Sequence, residues 1–499
     1  MFEIDKSVPI PLYYQLKQII MKKIETGEYK PNDRLPTEHE LCSMLGMSRT
    51  PVRQALTELT HEGILYRRPG QGTFVSDFSL SPSRDIMRIR VLVPEDKWAT
   101  PLEKAVSQWN EAHSERQVKL NLLLVGYPEL HFKIKSALTS GSPPDFFLLD
   151  SVSVPNLAKE GFLKPLDEID PLWIENDYRR DFFPVFVEES TYQGHIYAIP
   201  AQTDMALIWY RRDWFKMEGM EPPGTWEELV KTAEHFKKPS VRKKYGLKEY
   251  PLGFPGGLKA GETITYFFLP FLWSTGGDVL SNGRVVFDSE ASRRALSFLR
   301  DLVWKHRVVS PEVVSYEWDK TPKLFAKGEF ALAIGGSYES SIIREVSGFG
   351  DEDFRKRVGF VPIPASPGGR CTTTAGGMAY AVSANAHDPE LVLNILKITT
   401  GERFMRAFCL STGQNPPRIS VQRSLDPEKN WFLFKTSAMI YNARVRPLTP
   451  EYRRISEQLQ VLLENTISGK MDVDEAVRRT ACNLEKIIGG DSPISDNAT

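Results

Sequence analysis

The sequence predicts an α/β protein in two parts: a small N-terminal helix-turn-helix carrying a two-stranded wing, and a much larger region of strands and helices. Three observations predict this. Capping signals and 3.6-residue apolar spacing between Thr37 and Leu59 describe two short helices joined by a turn. From Met87 onward, apolar strands alternate with amphipathic helices, the pattern of a parallel sheet covered by helices. The region after Met87 is about 400 residues long, more than one hydrophobic core of ordinary size holds, so two lobes are expected.

Leu12, Leu16, Ile19, Ile20 and Ile24 recur at helical spacing between Pro11 and Gly27, which predicts a first helix. Thr37, followed three residues on by Glu40, has capping-box spacing; Leu41 and Leu45 share a face, and Gly46 breaks that helix. Ser48 is the next N-cap, with Pro51 in the first turn, where a missing N–H is harmless. Val52, Ala55, Leu56 and Leu59 then form a core-facing stripe, which leaves Arg49 and Arg53 on the solvent side near the helix start. Gly63 ends it. Ile64–Tyr66 and Thr73–Val75 read as strands either side of a basic, glycine-rich turn from Arg67 to Gly72. Guanidinium groups and small hydroxyls (Ser48, Thr50) at an exposed helix N-terminus suit a DNA major groove, where Arg forks onto guanine O6 and N7. A glycine-rich wing tip lets backbone approach the sugar-phosphate rail.

SDFSLSPSRD, residues 76–85, is polar and reads as a linker, so the first domain is expected over 1–76 and the second over 87–499. Met87–Pro94 is a strand, Ala99–Ser114 a helix, Gln117–Gly126 a strand, Leu130–Ser140 a helix and Asp145–Asp150 a third strand. Trp109, Trp226 and Trp304 fall on helical stripes and read as core. Trp173, in DPLWIEND, reads as a loop residue.

The chain has 499 residues, 41% of them hydrophobic and 25% charged, with net charge -1. Bulk charge therefore does not announce a nucleic-acid partner, and a duplex would be met by the local cluster Arg49, Arg53, Arg67 and Arg68. No basic segment followed by an apolar run opens the sequence, and no stretch approaches the ~20 apolar residues of a membrane span, so a cytoplasmic protein is expected. Cys42, Cys371, Cys409 and Cys482 are scattered without metal-ligand spacing and read as buried free thiols in a reducing compartment.

PLYYQLKQIIMKKIETGEYKPNDRLPTEHEL, MSRTPVRQALTELTHEGIL and GQGTFV together resemble the winged-helix domain of GntR-type bacterial transcription regulators, over about residues 9–76. That resemblance implies DNA contacts from Arg34, His39, Ser48, Arg49, Thr50, Arg53, Gly70, Gln71 and Gly72. At His39 many members carry Arg.

From Met87 to Gly490 the sequence resembles the sugar-type extracellular solute-binding proteins, the maltose-binding-protein-like group that feeds bacterial ABC importers. The resemblance is carried by LAKEGFLKPLDEI, YQGHIYAIPAQTDMALIWYRRDWFKMEGMEPPGTWEELVKTAEHF, FLWSTGGDVLSNGRVVFDSEASRRALSFLRDLV, LFAKGEFALAIGGSYES, VGFVPIPASPGGR and TAGGMAYAVS, in that order. It implies a two-lobed periplasmic-binding-protein-like (type II) fold closing on ligand, with crossings between lobes near Pro200–Asp204, Pro362–Thr374 and Ser411–Pro417. A carbohydrate site needs aromatic rings for sugar faces and polar groups for hydroxyls. Matching positions at strand ends and crossings are Asp150, Ser151, Asp204, Tyr210, Trp273, Ser337 and Tyr338, with Gly376 and Gly377 giving close backbone approach.

No HExxH, Walker A, GxSxG or strand-following GxGxxG motif is present, so no reaction, metal or cofactor is assigned. The two resemblances together imply a ligand-responsive regulator: operator DNA, arranged as an inverted repeat, on the winged helix; a sugar or oligosaccharide in the second domain; and a homodimer. The alternatives are a solute receptor of an importer, which calls for a secretion signal or lipid-anchoring Cys near residue 20, and a carbohydrate-active enzyme, which calls for turnover.

Overall fold

The computed structural model describes residues 12–61, 64–68, 71–76, 86–139 and 143–489. The chain divides into two compact units, Met1–Met87 with Ala112–Gln117, and Arg88–Glu111 with Val118–Thr499. Gly63, Gly70 and the linker residues 77–85 lie outside the described residues.

In the first unit, α1 (Leu12–Glu25), α2 (Glu38–Leu45) and α3 (Arg49–His61) precede an antiparallel ribbon, β1 (Leu65–Arg68) and β2 (Gly72–Val75). The Thr37–Glu40 capping box is complete: Thr37 Oγ1 accepts from the Glu40 N–H, and Glu40 accepts from the Thr37 N–H. Gly46 closes α2 at φ 59°, the left-handed geometry a C-terminal glycine supplies without a Cβ clash. Leu16, Ile20, Leu41, Val52, Ala55, Leu56 and Leu59 form one core with Leu65 and Val75 of the wing. Helix periodicity has become a packed triangle of helices with the ribbon attached.

Two large sheets dominate the second unit, beside two short two-stranded ribbons. β3 (Met87–Val93), α4 (Asp96–Ala112), β4 (Val118–Leu124), α5 (Tyr127–Leu138) and β5 (Phe146–Asp150) follow the expected alternation. β6 (Ala198–Pro200), β7 (Asp204–Arg211), β8 (Leu252–Gly253), α6 (Glu262–Ser274), α7 (Glu290–Trp304), β9 (Leu332–Gly336), β10 (Val358–Pro362), β11 (Thr373–Gly376), β12 (Met378–Val382), β13 (Ala443–Val445), α8 (Tyr452–Ile467) and α9 (Val473–Gly489) come next. The first sheet runs β4-β3-β5-β12-β6; the second runs β8-β9-β7-β11-β13, with β10 also on β7. β3 and β5 are parallel as expected, but β12 lies antiparallel to β5 and β6, so the sheet is mixed. The reason is topological: β12 enters from the other lobe beside Asp150, the end of β5, and runs back toward Phe146 at its start.

The chain passes from the first sheet to the second between Pro200 and Asp204, and returns at Gly377, between β11 and β12. Pro362–Thr374, expected as a crossing, instead connects two neighbours of β7 within the second lobe. Around Gly413–Pro417 the chain runs beside the first crossing, where the Thr203 N–H donates to Asn415 O over 2.9 Å.

Trp109 and Trp226 are buried, the latter stacked on Phe298 at 4.1 Å. Trp304, expected in the core, is 46% exposed: its indole N–H is committed to the Ile467 carbonyl at the end of α8, which holds the ring at the rim. Among the cysteines only Cys409 is buried; Cys371, in the irregular segment between β10 and β11, and Cys482, on α9, are exposed. No described helix is long and apolar enough to cross a membrane, and no group of metal-ligating side chains occurs among the described residues.

Candidate functional sites: the head of α3 and the junction of two lobes

Burial of Val52, Ala55, Leu56 and Leu59 fixes the rotation of α3, and that rotation exposes Ser48, Arg49, Thr50 and Arg53. His39 on α2 is exposed as well. The wing is built rather than loose. Tyr66 and Phe74 stack at 5.6 Å, and the Arg68 guanidinium lies 5.3 and 5.2 Å from their ring centres. Arg67 is drawn back toward Glu38 and Thr57, each at 3.5 Å, which takes part of its charge away from any duplex. Gly72 has φ +127°, and a Cβ there would come within 2.9 Å of Arg34 Nε. Its first reason for being glycine is therefore the turn and the Arg34 side chain crossing it. Gln71 is exposed beside it.

In the second unit, Asp150, Ser151, Asp204, Ser337, Tyr338, Gly376 and Gly377 converge where the two sheets meet. Ser151 donates to the Gly377 carbonyl over 3.1 Å from both its N–H and its hydroxyl. Ser337 Oγ accepts from the Met205 N–H at 3.1 Å. Asp204 accepts from the Tyr266 hydroxyl at 2.6 Å, and the Tyr266 ring lies edge-on to Tyr338 with centres 6.5 Å apart. A Cβ on Gly377 would fall 2.2 Å from the Gln202 carbonyl, and one on Gly376 2.8 Å from Arg446 Nη2. Both glycines are demanded by that packing.

Tyr210 and Trp273 are not brought there. Strand alternation places Tyr210 on the same face as Ala206 and Ile208, packed against Phe215 in the second-lobe core. Trp273, at the far end of α6, donates to Asp278 and is covered by Arg444 at 4.5 Å. Trp173 sits beneath Lys397, 5.4 Å from its ring centre, beside Tyr178.

The group at the heart of the junction escaped the sequence reading. Arg446, just beyond β13 and 3% exposed, places Nη2 2.8 Å and Nη1 3.3 Å from the two Asp150 oxygens. Nη1 also lies 3.3 Å from Glu262, and Nη2 3.6 Å from Glu189. Glu262 further accepts from the hydroxyls of Tyr452 and Ser456. Burial pushes Glu189 up to about 7, and raises Asp204 and Glu262, against the opposing pull of Arg446. One legible signal existed: Glu262 with Tyr266, and Tyr452 with Ser456, are polar pairs four apart on otherwise apolar helix faces.

The arrangement is that of a two-lobed α/β unit on the same chain as a small winged helix. Residues 95–405 match the family model for bacterial extracellular solute-binding protein, and residues 12–75 that for bacterial regulatory proteins, gntR family. The chain belongs to the bacterial extracellular solute-binding protein family, with a GntR winged helix at its N-terminus. Neither is an enzyme family. HTH-type transcriptional repressor NagR of Bacillus subtilis (strain 168) is 49% identical over 73 residues, 15% of this chain and 30% of that protein. Among solved structures, maltose-bound MalE3 of T. maritima is 26% identical with TM-score 0.67, covering 80% of this chain and 99% of that one. The GacH receptor of Streptomyces glaucescens GLA.O, 22% identical with TM-score 0.68 over 81% and 99%, shares the fold.

Proposed function

We propose that this chain is a ligand-responsive transcription regulator. The winged helix binds an operator through Arg49 and Arg53, and the solute-binding unit takes a sugar or oligosaccharide at the lobe junction and thereby controls that binding. The observation that carries the reading is the coexistence, on one chain, of an exposed arginine pair at the head of α3 with a two-lobed unit whose polar groups converge between sheets. The matched families support each half: a gntR regulator domain and a solute-binding domain with a maltose-bound structural relative. The same reading makes the protein a cytoplasmic homodimer on an inverted repeat, since two winged helices on half-sites read a palindrome.

Control follows from linkage. A ligand shifts an open–closed equilibrium only by its difference in affinity for the two states, and couplings of ~1–3 kcal/mol change partner affinity roughly 5- to 150-fold. Measuring operator affinity by fluorescence anisotropy, with and without a saccharide that raises the melting temperature, tests this. A change of several-fold or more is expected. A saccharide that binds tightly yet leaves operator affinity unmoved overturns the proposal, and favours a solute receptor whose winged helix is independent of its ligand.

A further inference from the structure

At the lobe junction, hydrogen-bond acceptors outnumber donors. Four carboxylates gather around one guanidinium: Asp150, Glu189 and Glu262 pair with Arg446 at 2.8, 3.6 and 3.3 Å, and Asp204 reaches the same group through Tyr266. Asp150 takes the guanidinium as a two-point fork. Glu262 has Arg446 and two hydroxyls. Asp204 has the Tyr266 hydroxyl on one oxygen and only a long contact from the Gln202 amide on the other, and Glu189 has no full complement. Glu189 is 2% exposed and its Oε1 accepts no hydrogen bond; Gln202, 5% exposed and 3.5 Å from Asp204, likewise has an unpartnered Oε1. One donor is left over, Arg446 Nε.

Buried acceptors without donors are costly, more so when charged, so the unpartnered Glu189 and Gln202 oxygens point to a ligand that donates to them. What completes the site must bring several N–H or O–H donors, one acceptor for Arg446 Nε, and positive charge. A neutral sugar supplies hydroxyls but leaves the excess negative charge uncompensated. An ammonium supplies three donors and a charge together.

We infer that the junction between the two sheets binds an aminated saccharide: a sugar unit whose ammonium is held by Glu189 and Asp204, with a ring hydroxyl accepting from Arg446 Nε. This rests on the reading of the junction as the ligand site and names the class of ligand within it. Burial holds Glu189 up near 7 against the pull of Arg446 3.6 Å away, and a bound ammonium would bring it down.

The test is titration calorimetry of the full-length protein with matched pairs differing at one position: glucosamine and glucose, galactosamine and galactose, mannosamine and mannose, with the corresponding di- and trisaccharides. In at least one pair the amine is expected to bind about tenfold or more tighter, and Glu189→Gln to shrink that ratio to about threefold or less. Asp204→Asn provides a second variant should Glu189→Gln fold poorly, and the matched pairs on the unaltered protein stand without either. Neutral members binding as tightly as their amines would overturn the inference while leaving a sugar site in place. No binding by any saccharide would remove the site reading beneath it, and an undiminished amine preference in both variants would overturn the assignment to these carboxylates.

Discussion

Arg446 and Asp150 belong to different lobes. Asp150 ends β5 of the first sheet, Arg446 follows β13 of the second, and the guanidinium meets the carboxylate in a two-point fork at 2.8 and 3.3 Å. A movement that parts the sheets must break it. The pair is therefore placed to report, and to resist, opening of the hinge.

Removing the cation leaves Asp150, Glu189 and Glu262 facing one another. Arg446→Ala should cost about 3–5 kcal/mol, and Asp150→Asn clearly less, because the guanidinium keeps Glu262. All ten tryptophans lie beyond residue 97, so urea unfolding followed by tryptophan fluorescence reads this unit alone. A loss under ~1 kcal/mol for Arg446→Ala would mean that the fork is energetically idle.

Arg49→Ala and Arg53→Ala should each weaken operator binding by about 1–3 kcal/mol, roughly ten- to a hundredfold, at fixed salt. Tryptophan-detected stability should not move, since both side chains are exposed. Anisotropy against operator and scrambled duplex separates two roles: equal losses on both would make these arginines phosphate contacts without base recognition.

Glu339 is buried with one oxygen on the Trp209 indole N–H and the other unpartnered, and burial pushes it up to about 8. The folded state thus keeps a proton that the unfolded state releases near the ordinary carboxylate value. Its contribution to stability is full below about pH 4.5 and is lost as pH rises through about 8. Urea midpoints should fall between pH 5 and 8. Glu339→Gln, which still accepts from Trp209, should flatten that decline and stabilise by roughly 1–3 kcal/mol at pH 8. An unchanged slope would mean that Glu339 titrates normally.

Gly377→Ala puts a Cβ 2.2 Å from the Gln202 carbonyl, a backbone atom with little room to yield. A loss of at least about 2 kcal/mol is expected. Gly350→Ala, with nothing within 4 Å and φ -66°, should stay within about 1 kcal/mol and serves as the control. Equal effects at both would show the crossing to be looser than its packing implies.

The winged helix was readable because everything that shapes it is local. Thr37 and Glu40 are three residues apart, Gly46 stops its own helix, and the stripe from Val52 to Leu59 sets the outward face of α3 by itself. The junction is assembled from distance: Asp150 and Arg446 are 296 residues apart, and Glu262 and Ser456 are 194 apart. Strand ends are identifiable from the sequence, which is why Asp150, Asp204 and Gly376 could be expected at the junction. Which helix would lean over them is not, and Arg446, Glu262 and Tyr452 go unread. Tyr210 shows the other limit. It stands in a strand buried along its whole length, where hydrophobicity on both faces hides which side looks toward the lobe junction.

The threading of the second unit sets an order of events during synthesis. The first sheet needs β12, near residue 380, and the core of the second needs α8 and α9, the last described helices. Neither sheet has all its strands until several hundred residues after Val75, with which the winged helix closes its core. At ~5–20 residues per second the head of the protein is ready on the order of tens of seconds before the rest of the polypeptide catches up. A nascent chain thus carries a finished winged helix well before its solute-binding unit can close.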